Sequence, residues 1–250
     1  MLFLTKTPYL LKKIYPKHLI WHKTRTEKVI YLTFDDGPIP IVTPWVLNTL
    51  KKFDVKATFF CIGDNIRKHP AIFEQLKAEG HAVGNHTFNH LNGWKTANET
   101  YLGNIAQCQQ LTKTPLFRPP YGRIKFSQIR RLHEYQNSRE QGARSKEQGI
   151  KSKDEGTMSK DGLQSSQISN LASQISIIMW DVLSGDFDPS LSPQKCLANT
   201  LKHTENGSIV VFHDSQKAWE RLEYVLPRAI EHWKNEGYSF GLLQKSNPKP

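Results

Sequence analysis

The sequence predicts an α/β fold of parallel βα units, and three observations carry that expectation. Apolar runs rich in β-branched and aromatic residues recur along the 250 residues, and stretches with helical apolar spacing stand between several of them. Histidines, carboxylates and an arginine fall just after these runs. In parallel α/β folds the loops that follow the strands form the active face, so this coincidence places a site there.

The first run, "VIYLTF", ends at Asp35-Asp36, and Gly37-Pro38 follows as a turn signal. Two adjacent acids where a chain leaves a sheet repel one another. The repulsion is relieved when one binds a cation and the other stays free as a base, although an Asp at this point also caps a following helix well. Thr43 and Pro44 open a helix to Lys52, and "KATFFCIG" is a strand. Pro70 opens a second helix that Gly80 stops, and "HAVGNH" is the next strand. "PLFR", "ISIIMW", "SIVVF" and "YSFGLL" read as further strands, with a helix over 222–236 between the last two.

The candidate site residues follow these strands. His86 and His90 are four apart, so on a helical turn both imidazoles would face one metal. With Asp36 they make two histidines and a carboxylate, a set suited to zinc or another first-row divalent ion. Arg118 is either a surface charge or a guanidinium that forks onto a carboxylate and holds Asp35 ionised, with Pro119-Pro120 stiffening the chain toward Tyr121. "WDVLSGDFD" supplies Asp181, Asp186 and Asp188, some of them turn formers. His213, beside Asp214 at the end of an apolar strand, is a cap or a general acid whose pKa a carboxylate partner would raise.

In order, "TFDDGP", "HTFNH", "RPPY", "SGDF" and "VFH" resemble the five motifs of the polysaccharide deacetylase family, which includes chitin, peptidoglycan and nodulation deacetylases. The resemblance runs from about Val29 to Leu243. It departs at Phe187, where the family has tryptophan, and at Val211, where leucine is usual. It implies a distorted (β/α) barrel of about seven parallel strands with its site at their C-terminal ends. It also implies removal of N-acetyl groups from N-acetylhexosamine units of a chitooligosaccharide or peptidoglycan type of glycan. Asp36, His86 and His90 are then metal ligands for zinc, with cobalt, nickel or manganese as alternatives. Asp35 is the base, Arg118 its partner, and His213 the acid paired with Asp186. The Tyr121 N–H is an oxyanion donor, and Tyr121, Pro120, Phe187 and Val211 line the pocket. Two other classes stay open: an inactive saccharide-binding protein on the same fold, and a deacylase of another N-acyl substrate.

Net charge is +11, and residues 1–28 contribute +6 of it, with seven basic residues against Glu27 alone. Such a head could meet nucleic acid or an anionic membrane, but no nucleic-acid motif accompanies it, and none is expected as a partner. No stretch is apolar enough to span a bilayer, and Lys6 and Pro8 interrupt what would be a signal-peptide core. The default compartment is therefore cytoplasmic or peripheral to a membrane. Cys61, Cys108 and Cys196 are odd in number and widely spaced, as expected for small buried apolar residues. Ser138, Ser145, Ser152 and Ser159 each open a seven-residue unit with no apolar seam, so 134–174 is expected to be a disordered insertion in a 29–243 catalytic domain, with 244–250 a tail.

Overall fold

The computed structural model describes residues 4–132 and 175–244, so the repeat insertion lies outside the described residues. A short helix α1 (Tyr9–Ile14) precedes β1 (Val29–Asp35), α2 (Val42–Lys52), β2 (Thr58–Cys61), α3 (Gly63–Lys68), α4 (Pro70–Ala78) and β3 (Ala82–Asn85). Then come α5 (Asn98–Thr112), β4 (Leu116–Phe117), β5 (Ser176–Ile177), β6 (Val182–Leu183), α6 (Pro193–His203), β7 (Ile209–His213), α7 (Trp219–Asn235) and β8 (Ser239–Phe240).

All paired strands are parallel, in the order β5-β4-β3-β2-β1-β7-β6, with β8 joined to the start of β1. The two ends of this path, β5 and β6, are separated by only residues 178–181. Five residue steps reach at most about 18 Å, so the seven-strand path must curl round until its edges face one another. The result is the expected distorted half-barrel. Its central strand β1 is largely apolar and mostly buried, as expected of a parallel strand covered on both faces. Ile30, Leu32 and Phe34 pack with the α2 residues Val46 and Leu50 and the α7 residues Leu222, Val225 and Leu226 in the largest core cluster.

The helices expected at Pro70 and near Leu222 are α4 and α7, and Gly80 takes φ +80° where α4 stops. The expected list of elements lacks α5, whose apolar residues are spread round the helix. Its buried face includes the polar residues Asn104 and Thr112 while Leu111 is exposed, so apolar and polar residues do not separate cleanly in its sequence. It also lacks β6, a two-residue strand inside "WDVLSGDFD", where the turn-forming residues dominate.

The basic segment at the start of the chain enters the barrel seam. Ile20 pairs along the β5 edge, with its N–H bonded to the Ile177 carbonyl and its carbonyl to the Met179 N–H. Thr7 N–H donates to the Asp181 carbonyl, and Leu183 N–H to Thr5. Beneath this arm Asp181 is fully buried, and its carboxylate accepts from Lys6 (2.7 Å), Lys12 (2.6 Å), Arg25 (2.9 Å) and Ser208 (2.7 Å). Burial alone would raise its pKa, but these donors outweigh that and hold the carboxyl well below the usual carboxylate range. Part of the basic excess is therefore internal electrostatics that staples the seam.

Asp181→Asn keeps the shape and removes the charge, and it is expected to cost about 2–4 kcal/mol of stability at neutral pH in urea unfolding. Because the folded pKa is depressed, this contribution is present above the unfolded carboxylate pKa of about 3.9 and fades below it, so the two proteins' stabilities should converge on acidification.

Candidate active site

The site forms where β1, β3, β4, β6 and β7 end. Asp35 is the last residue of β1 and only 3% exposed, and the chain turns sharply after it, with Asp36 at φ 86°. Past that left-handed residue the two adjacent carboxylates take different nearest partners, Arg118 for Asp35 and His90 for Asp36, while both approach His86 Nε2 at 3.9 and 3.7 Å. The turn is held from behind by Asp214: Gly37 N–H donates to its Oδ1 at 3.0 Å and the Thr43 hydroxyl to its Oδ2 at 2.6 Å. A Cβ on Gly37 would lie 1.9 Å from Asp214 Oδ2, so only glycine fits. Asn65 Nδ2 donates to the Asp36 carbonyl at 2.7 Å.

His86 and His90 do not share a helical turn, contrary to the spacing argument. They lie on an irregular loop after β3 in which Thr87 and His90 take φ 61° and 56°. The loop is fixed by hydrogen bonds that periodicity cannot show. Asn104 of α5 accepts from Phe88 N–H (2.8 Å) and Asn89 N–H (2.9 Å), and Asn85 accepts from Thr87 N–H (2.9 Å). His86 Nδ1 lies 2.8 Å from the Arg118 carbonyl. A carbonyl only accepts, so Nδ1 carries the proton and Nε2 keeps its lone pair for the site.

His90 Nε2 is 3.2 Å and His86 Nε2 3.7 Å from Asp36 Oδ1, and the three ligand atoms lie within 4.8 Å of one another. Metal–ligand bonds of about 2.0–2.2 Å in a tetrahedral site put neighbouring ligands about 3.3–3.6 Å apart. The donor set suits zinc or a similar ion, and the two separations from Asp36 lie near that spacing. Burial holds the His86 pKa down at about 4, so the ring is neutral as a ligand must be. For Asp36 burial acts upward, but a hydrogen bond from His90 and the nearby histidine charges bring its pKa well below the ordinary value.

Arg118 is fully buried and bonds Asp35 Oδ1 at 2.6 Å. The contact is a single bond rather than the expected fork. The same nitrogen also reaches the Thr33 hydroxyl (2.8 Å), while Nε and the other terminal nitrogen serve the Ile178 and Met179 carbonyls (3.4 and 3.2 Å). The guanidinium carbon lies 4.0 Å from the Phe60 ring centre. Spreading its donors this way gives every nitrogen of a buried cation a protein acceptor.

On the other side of β1, His213 stands in register with Asp35 at the end of β7. Asp186 grips it twice, Oδ1 to Nδ1 and Oδ2 to the backbone N–H, both 2.8 Å. Burial disfavours the imidazolium, but the charge and hydrogen bond of Asp186 outweigh it and lift the pKa to about 9. Phe187 is half-buried with its ring 5.1 Å from His213, and Val211 is buried two residues earlier on the same face of β7. Pro120 is buried, and Tyr121, at φ 59°, lays an exposed ring 4.6 Å from that of His90. Gly122 follows at φ +64°, against Trp180. The expected residues thus converge, apart from Asp181, which is in the seam, and Asp188, which accepts from Ser190. Asp214 was read only as a neighbour of His213. Its buried carboxyl, with a pKa pushed up to about 8 mainly by burial, organises the Asp35–Gly37 turn. Its sequence signal is the single residue following His213.

This is a (β/α) half-barrel with an aspartate–histidine–histidine set at its mouth, as in hydrolytic metal sites. Residues 22–137 match the polysaccharide deacetylase family model. A peptidoglycan N-acetylglucosamine deacetylase of Bacillus cereus is 27% identical over 229 residues, covering 89% of this chain and 90% of that protein. The chain spans 23–50% of the length of seven other curated relatives. A solved peptidoglycan N-acetylglucosamine deacetylase superposes with TM-score 0.68 at 24% identity, over 95% of each chain. A Bacillus anthracis protein described as a CE4 family pseudoenzyme has the same fold, with TM-score 0.64 and 21% identity over 90% of this chain and 67% of that one.

Arg118→Met leaves Asp35 buried without its cation and is expected to lower stability by about 3–5 kcal/mol in urea unfolding, with Arg118→Lys less severe because one charged donor remains.

Proposed function

We propose that this protein is a metal-dependent hydrolase that removes N-acetyl groups from N-acetylhexosamine units of a glycan. The observation that carries the reading is one mouth holding a ligand triad, a separate buried carboxylate on a buried arginine, and a carboxylate-paired histidine. Asp36, His86 and His90 would hold the ion. When bound, such an ion supplies Lewis acidity toward a carbonyl oxygen and makes water acidic enough to lose a proton near pH 7. Asp35, oriented by Arg118, takes the proton of the attacking water. The water oxygen adds to the acetamide carbon, and the Tyr121 N–H donates to the developing oxyanion. His213, held cationic by Asp186, gives its proton to the sugar nitrogen as the carbon–nitrogen bond breaks. The products are acetate and a sugar amine. Pro120, Tyr121, Phe187 and Val211 border the acetyl group and its sugar.

An inactive saccharide-binding protein is the competing reading, since the fold also carries a described pseudoenzyme. The complete proton-transfer set favours the enzyme, because a binder has no use for a base and an acid beside one ligand triad.

Purified protein should release acetate from N-acetylglucosamine oligomers, lose this activity to a chelator and regain it with zinc or cobalt. Asp35→Asn should keep the ion, measured by elemental analysis, and lose at least about 100-fold in kcat. Inertness of the ion-loaded protein across acetylated glycans would support the binder.

Asp186→Asn removes the charge that raises the His213 pKa. The proton donor is then lost at lower pH, so the alkaline limb of kcat against pH should move to lower pH than in the wild type.

A further inference from the structure

Two loops on the active face are fastened into one unit that displays aromatic rings to solvent. His90 and Trp94 stand on the loop after β3, and Tyr121 and Phe126 on the chain after β4. Trp94, Tyr121 and Phe126 are 54%, 58% and 53% exposed. Large apolar rings at a site mouth lose favourable burial unless something covers them.

The display is built, not incidental. Gly93 N–H donates to the Arg123 carbonyl at 3.1 Å, and Trp94 Nε1 donates to the Ile124 carbonyl at 3.2 Å. A Cβ on Gly93 would sit 2.4 Å from the Arg123 oxygen, so the approach requires glycine. Fully buried Gln128 ties both loops, donating to the Gly93 carbonyl at 3.0 Å and accepting from Lys125 N–H at 2.9 Å. The Arg123 guanidinium lies over the Trp94 ring, 5.2 Å from its centre, which helps fix the ring plane. A ring whose position is set in advance loses little entropy when a ligand stacks on it.

Resting on the reading of the site as a glycan N-deacetylase, we propose that Trp94 forms a further sugar subsite for a unit beyond the one being deacetylated. The apolar C–H face of a pyranose stacks on the aromatic face, which carries partial negative charge. Tyr121, two residues before the Arg123 that lies over Trp94, has its ring 4.6 Å from that of His90. The chain of an oligomeric substrate would then run over the β3 and β4 loops.

The test compares wild type, Trp94→Ala and Trp94→Phe on β-1,4-linked N-acetylglucosamine dimer and pentamer. The subsite predicts that Trp94→Ala loses at least about 10-fold in kcat/KM on the pentamer, chiefly through KM, and no more than about threefold on the dimer. Trp94→Phe should recover most of the loss, because it keeps an aromatic face. Equal losses at both lengths, or no loss on the pentamer, would overturn the proposal. Calorimetric binding of the pentamer needs no turnover and separates the two readings. Weaker binding by Trp94→Ala in a protein that deacetylates nothing would uphold the subsite and reject the enzyme, whereas unchanged affinity would reject the subsite whatever the activity. Thermal unfolding of each variant identifies a loss that comes from misfolding, and Trp94→Phe then carries the decision: a pentamer-selective loss upholds the subsite and its absence overturns it.

Discussion

The buried pair of Asp35 and Arg118 is the constraint on which the rest of the mouth depends. Neither partner has appreciable access to water, so each is tolerable only with the other in place. Arg118 does more than neutralise. Its side chain binds the end of β1 and the carbonyls that follow β5, spanning the interior of the curled sheet, while its own carbonyl fixes the His86 tautomer. One residue therefore orients both the carboxylate proposed as base and a histidine of the ligand triad, and a shift of β4 would disturb the two together.

Around that pair, two adjacent aspartates are made different by backbone geometry. Asp35 keeps the extended conformation of β1 and points to the arginine, whereas Asp36 turns to φ 86° and meets the histidines. The turn is secured by Asp214, a carboxyl that burial keeps from ionising easily and whose oxygens accept from Gly37 and Thr43. The repulsion between neighbouring acids is relieved because each has its own nearest cationic or donor partner, Arg118 for Asp35 and His90 for Asp36.

The basic head has a different place from the one its charge alone suggests. Lys6, Lys12 and Arg25 converge on a single buried carboxylate at the line where the sheet edges face one another. An open parallel sheet leaves unpaired backbone groups at its edges, and the arm satisfies some of them while its cations are neutralised from within.

Asp35-Asp36, the two histidines, Arg118 and His213 were legible in the sequence because each follows an apolar strand run, and residue chemistry survives without coordinates. The alternation of strands and helices was legible for the same reason, since parallel strands buried on both faces must be apolar. The sequence by itself thus determined the fold class and the chemical identity of the mouth. It could not supply the route by which His86 and His90 come together, since left-handed residues and asparagine tethers from α5 replace the helical turn that a spacing of four suggests. Nor could it show that Asp181 belongs to the seam while Asp186, five residues on, belongs to His213. Those assignments are long-range pairings between side chains brought together by the curling of the sheet, and only the tertiary structure decides which carboxylate meets which cation.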